Sequence, residues 1–400
     1  MKLLLLFFFS LISITCSFAQ FSDEIELMNN IRGEYTSLND LDNDGDIDVV
    51  LGGEESLVWK ENLGEGNFSQ NRIISTNIYR NSLFTVHDLD EDGYEDIISF
   101  ENTGLPRRQH LVYYKNNGDG TFTDSIYIGD IYGYPIGVDA GEMDNDGFID
   151  ILVIEDEVDI VTGFMTEGSA LSWNRSRIFD YMIRPYEGQL LDMDDDGDLD
   201  ILLNFVLLGA GSAIRWYENL GDGTYGLEPI WSEEAVDSPK KSIYEDVDND
   251  GLKDLISTST VGENKIVWNK NLGAGEFSDL ALISDDVLDP LSVSVGDIDN
   301  DGDNDVLSIS VTDQKVALYR NLGDGVFDDQ EVLFSELPYP QTIDLADLDN
   351  DGNLDIMVSY KYEFGEYNVE HPVVWFKNLG GGSFDGSYNY ISINTYRPEK

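Results

Sequence analysis

Apolar residues in this chain come in short runs, and the runs recur. Val49–Leu51, Ile97–Phe100, Ile151–Ile154, Ile201–Phe205, Leu255–Ser257, Val306–Ser310 and Ile356–Tyr360 each follow an acidic stretch. They are rich in β-branched and aliphatic residues and too short for helices, so they predict strands. One run differs. Leu3–Ile14 is apolar throughout, follows Met1-Lys2 and precedes Ser17-Phe18-Ala19. That layout predicts a signal peptide over 1–19, cleaved near Ala19, with Gln20 as the new terminus. Lipoprotein processing at Cys16 fits less well, because Thr15 is a poor residue before a lipidated cysteine. The run is too short to span a membrane, and no other stretch is long and apolar enough. Cys16 is the single cysteine. Its removal leaves an exported chain without disulfides, which needs another staple.

The acidic stretches are seven copies of one nonapeptide, starting at Asp40, Asp88, Glu142, Asp192, Asp246, Asp297 and Asp347. The steps between them are 48, 54, 50, 54, 51 and 50 residues. Spacing this regular marks an internal repeat. Acidic residues fall at positions 1, 3, 5 and 9, and position 6 is always glycine, as a sharp turn requires. A hard cation takes six to eight oxygen ligands, and alternate residues of a tight loop can aim theirs at one point. Magnesium prefers fewer carboxylates and more water, so calcium is expected, structurally, at up to seven sites. By analogy with other calcium loops, position 7 gives its backbone carbonyl.

The candidate ligands are therefore Asp40, Asp42, Asp44, Asp46 and Asp48; Asp88, Asp90, Asp92, Tyr94 and Asp96; and Glu142, Asp144, Asp146, Phe148 and Asp150. They continue as Asp192, Asp194, Asp196, Asp198 and Asp200; Asp246, Asp248, Asp250, Leu252 and Asp254; Asp297, Asp299, Asp301, Asp303 and Asp305; and Asp347, Asp349, Asp351, Asn353 and Asp355. An EF-hand is excluded, because it needs Glu at position 12 and a following helix. Position 12 here is Leu51, Ser99 or Val153 in the first three copies, inside a predicted strand.

A second motif accompanies the first. Trp59–Phe68, Tyr113–Phe122, Trp216–Tyr225, Trp268–Phe277, Leu318–Phe327 and Trp375–Phe384 share an Asn-x-Gly-x-Gly core between aromatic or apolar residues. The core predicts a hairpin turn, and the flanking aromatics are expected to pack between neighbouring sheets. Each unit then holds four strands: A before the acidic loop, B after it, C before the Asn-x-Gly-x-Gly turn and D after it. Four-stranded units in a ring are propeller blades. The third unit departs from the pattern. It opens on Glu142, lacks the turn motif, has Trp173–Ser176 near that place, and adds the acidic stretch Glu155–Asp159.

With both motifs repeating over about residues 21–390, the chain resembles the FG-GAP/VCBS repeat family, which includes the integrin α head. The resemblance implies an all-β, seven-bladed β-propeller of four-stranded antiparallel blades, with calcium loops in the A–B hairpins. The mature chain, 20–400, is then one domain. Two segments compete to close the ring: Phe21–Asp23 from the N-terminus and Phe384–Arg397 from the C-terminus. The family spans adhesion heads, lectin-like modules, scaffolds and polysaccharide-degrading enzymes, so it implies no single function.

Charge narrows the partners. The chain has 79 acidic and 23 basic residues, a net charge of −56. Nucleic acid and anionic membrane surfaces are excluded as partners on electrostatic grounds. Disorder is excluded by 41% hydrophobic and 12% aromatic residues, enough for cores. The scarce basic residues then draw notice. Pro135, Pro185, Pro239, Pro290 and Pro340 stand seven residues before the first acid of their loops. One residue earlier come Arg32, Arg80, Tyr134, Arg184 and Tyr339 in five of the seven units, and Tyr186 stands close by. These six are candidate ligand-binding residues on the face opposite the loops. Nearby turns add Arg107, Arg108, His110 and Tyr132. Tyr stacks on sugars while offering a hydroxyl, and Arg grips carboxylate or sulfate. Inter-blade salt bridging is the plainer use of such arginines.

No nucleophile elbow, zinc motif or phosphate loop is present. The expected protein is a monomeric module, secreted, periplasmic or at the cell surface, acting in adhesion or binding a glycan or protein. The alternative is a lyase acting on an acidic polysaccharide.

Overall fold

The computed structural model describes residues 35–392, except 54–55, 80–82, 157–159, 167–171, 181–184, 208–210, 234–235, 237, 261–263, 365–367, 371 and 385. Among the described residues there are thirty strands and no helix, hence no helix long and apolar enough to cross a membrane. Seven four-stranded antiparallel sheets form a seven-bladed β-propeller. Blade 1 shows the order: β1 (Tyr35–Asn39), β2 (Asp48–Gly52), β3 (Leu57–Lys60) and β4 (Arg72–Ser75), each hydrogen-bonded to the next. Blades 2 to 7 repeat it, beginning at Phe84, Tyr134, Pro185, Ser242, Pro290 and Pro340. Blade 7 adds a small hairpin, β27 (Tyr362–Phe364) with β28 (Asn368–Glu370), between its strands B and C.

The apolar runs are the B strands. In blades 1, 5, 6 and 7 every residue of strand B is buried, because neighbouring blades cover both of its faces. A strand covered on both sides has no polar face, so its sequence reads as a run rather than an alternation. The outer D strands are more open, and β4 has no fully buried residue.

The cores lie between blades rather than within them. Each of the seven junctions has its own cluster of buried residues. The second glycine of the turn motif shows why the flanking aromatics recur. A Cβ on Gly66 would lie 2.3 Å from Trp375 of blade 7, and one on Gly275 would lie 2.4 Å from Trp216 of blade 4. The Trp of one blade thus lies against the turn of the next, as the motif led us to expect.

Closure uses the C-terminal segment. β30 (Asn389–Ser392) is strand D of blade 7, so every blade takes its four strands from one continuous stretch of the chain. Of the two competing segments the C-terminal one therefore supplies that strand, and Phe21–Asp23 lies outside the described residues. The ring is shut by packing instead. Val49, Leu51 and Val58 of blade 1 share a core with Met357, Val373 and Trp375 of blade 7.

Candidate metal centres and the opposite face

All seven acidic loops join strands A and B on one face of the ring, and one bonding scheme recurs. In blade 1, Asp40 at position 1 accepts from the backbone N–H of Asp44 (3.1 Å) and Gly45 (2.9 Å). Asp44 accepts from Asp46 N–H at 2.9 Å. Asp48 at position 9 accepts from Leu41 N–H (3.1 Å) and from Asn62 N–H (2.7 Å) at the start of the turn. The glycine at position 6 has φ between +87° and +99° in all seven loops, where a side chain would strain the backbone. Glu142 does the work of Asp in blade 3, accepting from the N–H groups of Asp144, Asp146 and Gly147.

Position 3 stands apart. Asp42, Asp90, Asp144, Asp194, Asp248, Asp299 and Asp349 each hold one carboxylate oxygen, Oδ1, buried and without a hydrogen-bond partner. One such atom is a curiosity; the same atom seven times is a feature of the repeat. Oxygens of positions 1 and 3 lie within 4.8 Å of each other and of a third carboxylate, such as Asp48, Asp96, Asp146 or Asp196. The donor set is all oxygen and mostly charged, and the orphaned oxygen fits a hard cation.

The buried carboxylates at position 9 carry the electrostatic cost. Burial pushes Asp48, Asp96, Asp150, Asp200 and Asp355 up to about 7, and Asp254 and Asp305 to about 6, against the lowering effect of their two N–H donors.

Three contributions were not foreseen from sequence. The Asn of the turn motif staples blades together. Asn116 Nδ2 donates to Leu41 O of blade 1 at 2.7 Å, and Asn62 Nδ2 donates to Leu348 O of blade 7 at 2.8 Å. Asn at position 4 links successive loops, as Asn249 does by donating to Gly302 O (3.0 Å) and Asp303 Oδ1 (2.7 Å). Finally, the residue before the turn Asn reaches into the loop. Lys115, Lys270 and Lys377 each bond the carboxylates at positions 3 and 5, and Arg320 bonds Asp299 at 2.5 Å. Blade 3 uses Thr166 in place of Asn, its N–H donating to Asp150 at 2.7 Å. Trp173–Ser176 open its strand D, β12 (Trp173–Asp180), rather than forming a turn.

The opposite face carries the B–C turns and the D–A crossovers. Arg32, Arg80 and Arg184 lie outside the described residues, as does the side chain of Tyr186. Tyr134 stacks on Tyr79 with ring centroids 6.2 Å apart. Tyr339 is 48% exposed, with a left-handed φ of +46° just before Pro340. The two tyrosines open blades 3 and 7 and belong to different surroundings. The turn residues fare differently. Arg108, His110 and Tyr132 gather around Asp130, with Arg108 Nη2 at 2.6 Å and His110 Nε2 at 3.5 Å from its oxygens. Lys241 does make the plainer inter-blade bridge, to Glu187 at 2.7 Å.

The fold and the loops define a propeller built from repeats that each carry one acidic hairpin loop. The FG-GAP-like repeat model matches residues 40–99, 88–153, 246–308 and 302–358, more than half of the chain. The chain belongs to that family. No curated protein matches it. Among solved structures it is similar to a lectin from Agrocybe aegerita described as recognising non-reducing terminal N-acetylglucosamine. That pair is 19% identical with a TM-score of 0.59, covering 90% of this chain and 94% of that one. It is also similar to the BP39L lectin from Burkholderia pseudomallei, at 12% identity and a TM-score of 0.65, covering 89% and 98%.

Proposed function

We propose that this chain is an exported, calcium-stabilised propeller that binds carbohydrate. The observation that carries the carbohydrate reading is the scaffold: two lectins share the propeller over about nine-tenths of this chain. The observation that carries calcium is the buried, partnerless Oδ1 at position 3 of all seven loops. Carboxylates at positions 1, 3, 5 and 9 would hold the ion, with the position 7 carbonyl. The ion would neutralise the crowded acids and brace each A–B hairpin, which disulfides do not do here. Export would follow from cleavage of residues 1–19, leaving the mature protein secreted, periplasmic or on the cell surface.

The test is size-exclusion profiling of a panel of neutral and acidic polysaccharides with the full mature chain in calcium. Co-elution of unshortened polymer is the expected result. Shortened polymer would make the protein a lyase, and no interaction with any glycan would overturn the carbohydrate reading.

A further inference from the structure

The face opposite the loops departs from its repetition at the junction of blades 2 and 3. Where blade 2 meets blade 3, the B–C turn and outer strand of one blade approach the outer strand of the other. Arg108 comes from that turn, Tyr127 and Asp130 from β8 (Ile126–Ile131), Tyr132 from the crossover, and Arg175 from β12. The two guanidinium groups lie over the same tyrosine ring, Arg175 at 5.4 Å and Arg108 at 5.8 Å from the centroid of Tyr132.

Both arginines are anchored from beneath. Arg108 is held by Asp130 at 2.6 Å, and it keeps that carboxyl below the usual range. Arg175 is held at 2.7 Å by Glu155, which is fully buried. Glu155 also accepts from Thr162 Oγ1 (2.9 Å) and from Tyr132 N–H (3.0 Å), so it fixes the arginine and the tyrosine together. A guanidinium has five N–H donors, and the carboxylate beneath does not use them all. Arg108 Nε is buried without a hydrogen-bond partner. Meanwhile Tyr132 is 50% and Tyr127 55% exposed, while the side chains of Arg108 and Arg175 are 40% and 28% exposed.

We propose that this junction is a binding site for an anionic sugar, whose carboxylate or sulfate is gripped by Arg108 and Arg175 beside Tyr132. The chemistry follows from the parts. Fixed arginines present forked donors to a planar or tetrahedral oxyanion. Exposed tyrosines offer a flat apolar surface and a hydroxyl to the sugar ring. Anchoring beforehand lowers the ordering cost of binding. On a chain of net charge −56, pairing of Asp130 and Glu155 with these arginines lessens the repulsion an anion would meet here.

The proposal rests on the carbohydrate reading and deepens it. Its test uses the full mature chain in calcium with three polymers: polygalacturonate, dextran sulfate and uncharged dextran. Binding of one or both charged polymers, but not dextran, is expected. Polygalacturonate alone assigns a carboxylate and dextran sulfate alone a sulfate. Arg108→Gln and Tyr132→Ala should each weaken that binding about tenfold or more, as loss of a charge-assisted contact does, with the melting temperature nearly unchanged. Tyr127→Ala, at an exposed position, serves if either variant folds poorly. Arg175→Gln should weaken binding and also melt earlier, because Glu155 loses its partner. Charged-polymer binding that these variants leave intact, as calcium bridging through the loops would give, overturns the site. Binding of neutral glycans alone overturns the site and spares the carbohydrate reading, while refusal of every glycan overturns both.

Discussion

Blades 4 and 5 stand side by side and share the backbone bonds at loop positions 1, 5 and 9, yet their loops are opposite in electrostatic design. In blade 4, Asp195 and Asp198 join the acids at positions 1, 3, 5 and 9, and Glu218 stands before the turn Asn. In blade 5, that last place holds Lys270, which bonds Asp248 and lies 2.7 Å from Asp250. The protonation equilibria follow. Burial, then Asp196, Asp192 and Glu218, push Asp194 above the usual carboxylate range. The Lys270 ammonium holds Asp250 below it. Lys115, Arg320 and Lys377 place blades 2, 6 and 7 with blade 5. Glu61 places blade 1 with blade 4, although Arg72 partners that Glu, and Met165 leaves blade 3 without a charge there. One backbone loop is thus built in two electrostatic designs, one with a tethered cation of its own and one without.

The largest effect should come from withholding calcium. A site filled at a hundred times its Kd adds about 2.7 kcal/mol of stability. Several such loops together should lower the melting temperature by about 10 °C or more when calcium is chelated, as calorimetry would read. A melting curve indifferent to chelator would remove calcium from both kinds of loop.

The next effect is on pH dependence. With calcium withheld, the folded chain holds protons on Asp48, Asp96, Asp150, Asp200 and Asp355 up to about pH 7, whereas the unfolded chain releases them near 3.8. The native state therefore binds more protons over this interval, and stability falls as pH rises from about 4 towards 7. Calcium favours the ionised form and should flatten or invert that slope. Urea melts at several pH values, in calcium-free and calcium-loaded buffer, give the two slopes. A calcium-free chain that gains stability over this interval would show that these carboxyls are not the governing groups.

A smaller loss is expected from Asn116→Ala. It removes the donors to Leu41 O (2.7 Å) and Glu95 O (3.1 Å) and the acceptor for Gly118 N–H (3.0 Å). Stranding these buried groups should cost about 2–3 kcal/mol. Equilibrium unfolding checks it, and a neutral result would mean that the staple between blades 1 and 2 is dispensable. Blade 3, with Thr166 in that place, is the natural comparison.

The loops, the strand order and the ring were legible in the sequence because each depends on neighbours a few residues away. Position 6 needs glycine for its own φ, and the B strand needs apolar residues for both of its faces. The Asn staples were not legible as such. Their partners lie one blade away, or around the ring in the case of Asn62 and Leu348, and a periodic sequence does not say which copy a residue touches. Lys270 and Glu218 occupy one place in the turn motif, and the motif alone does not tell that this place approaches the acidic loop of the same blade. The opposite face was harder still. Tyr134 and Tyr339 share a repeat position without sharing surroundings, while Arg108, Tyr132 and Arg175 share surroundings without sharing a repeat position. Register predicts structure; a site made by departure from register has to be seen.

The finest test of the two loop designs exchanges the residue before the turn Asn. Lys270→Glu should give the blade 5 loop the character of blade 4. Calcium affinity there should rise about tenfold, the equivalent of about 1.4 kcal/mol, while the calcium-free chain loses stability. Glu218→Lys should do the reverse in blade 4, with a tethered ammonium competing for Asp194 and Asp196. Lys270→Met copies blade 3 and should fall between, because it removes the competitor without adding an acid. The readout is a calcium titration by calorimetry, paired with melts in chelator, and the two should move in opposite directions. That opposition separates a tethered counter-ion from an ordinary surface salt bridge. Losing such a bridge would cost about 1 kcal/mol or less and leave calcium affinity where it was. If the order Glu, Met, Lys does not appear in the calcium titration, Lys270 is such a bridge, and the seven loops are electrostatically alike.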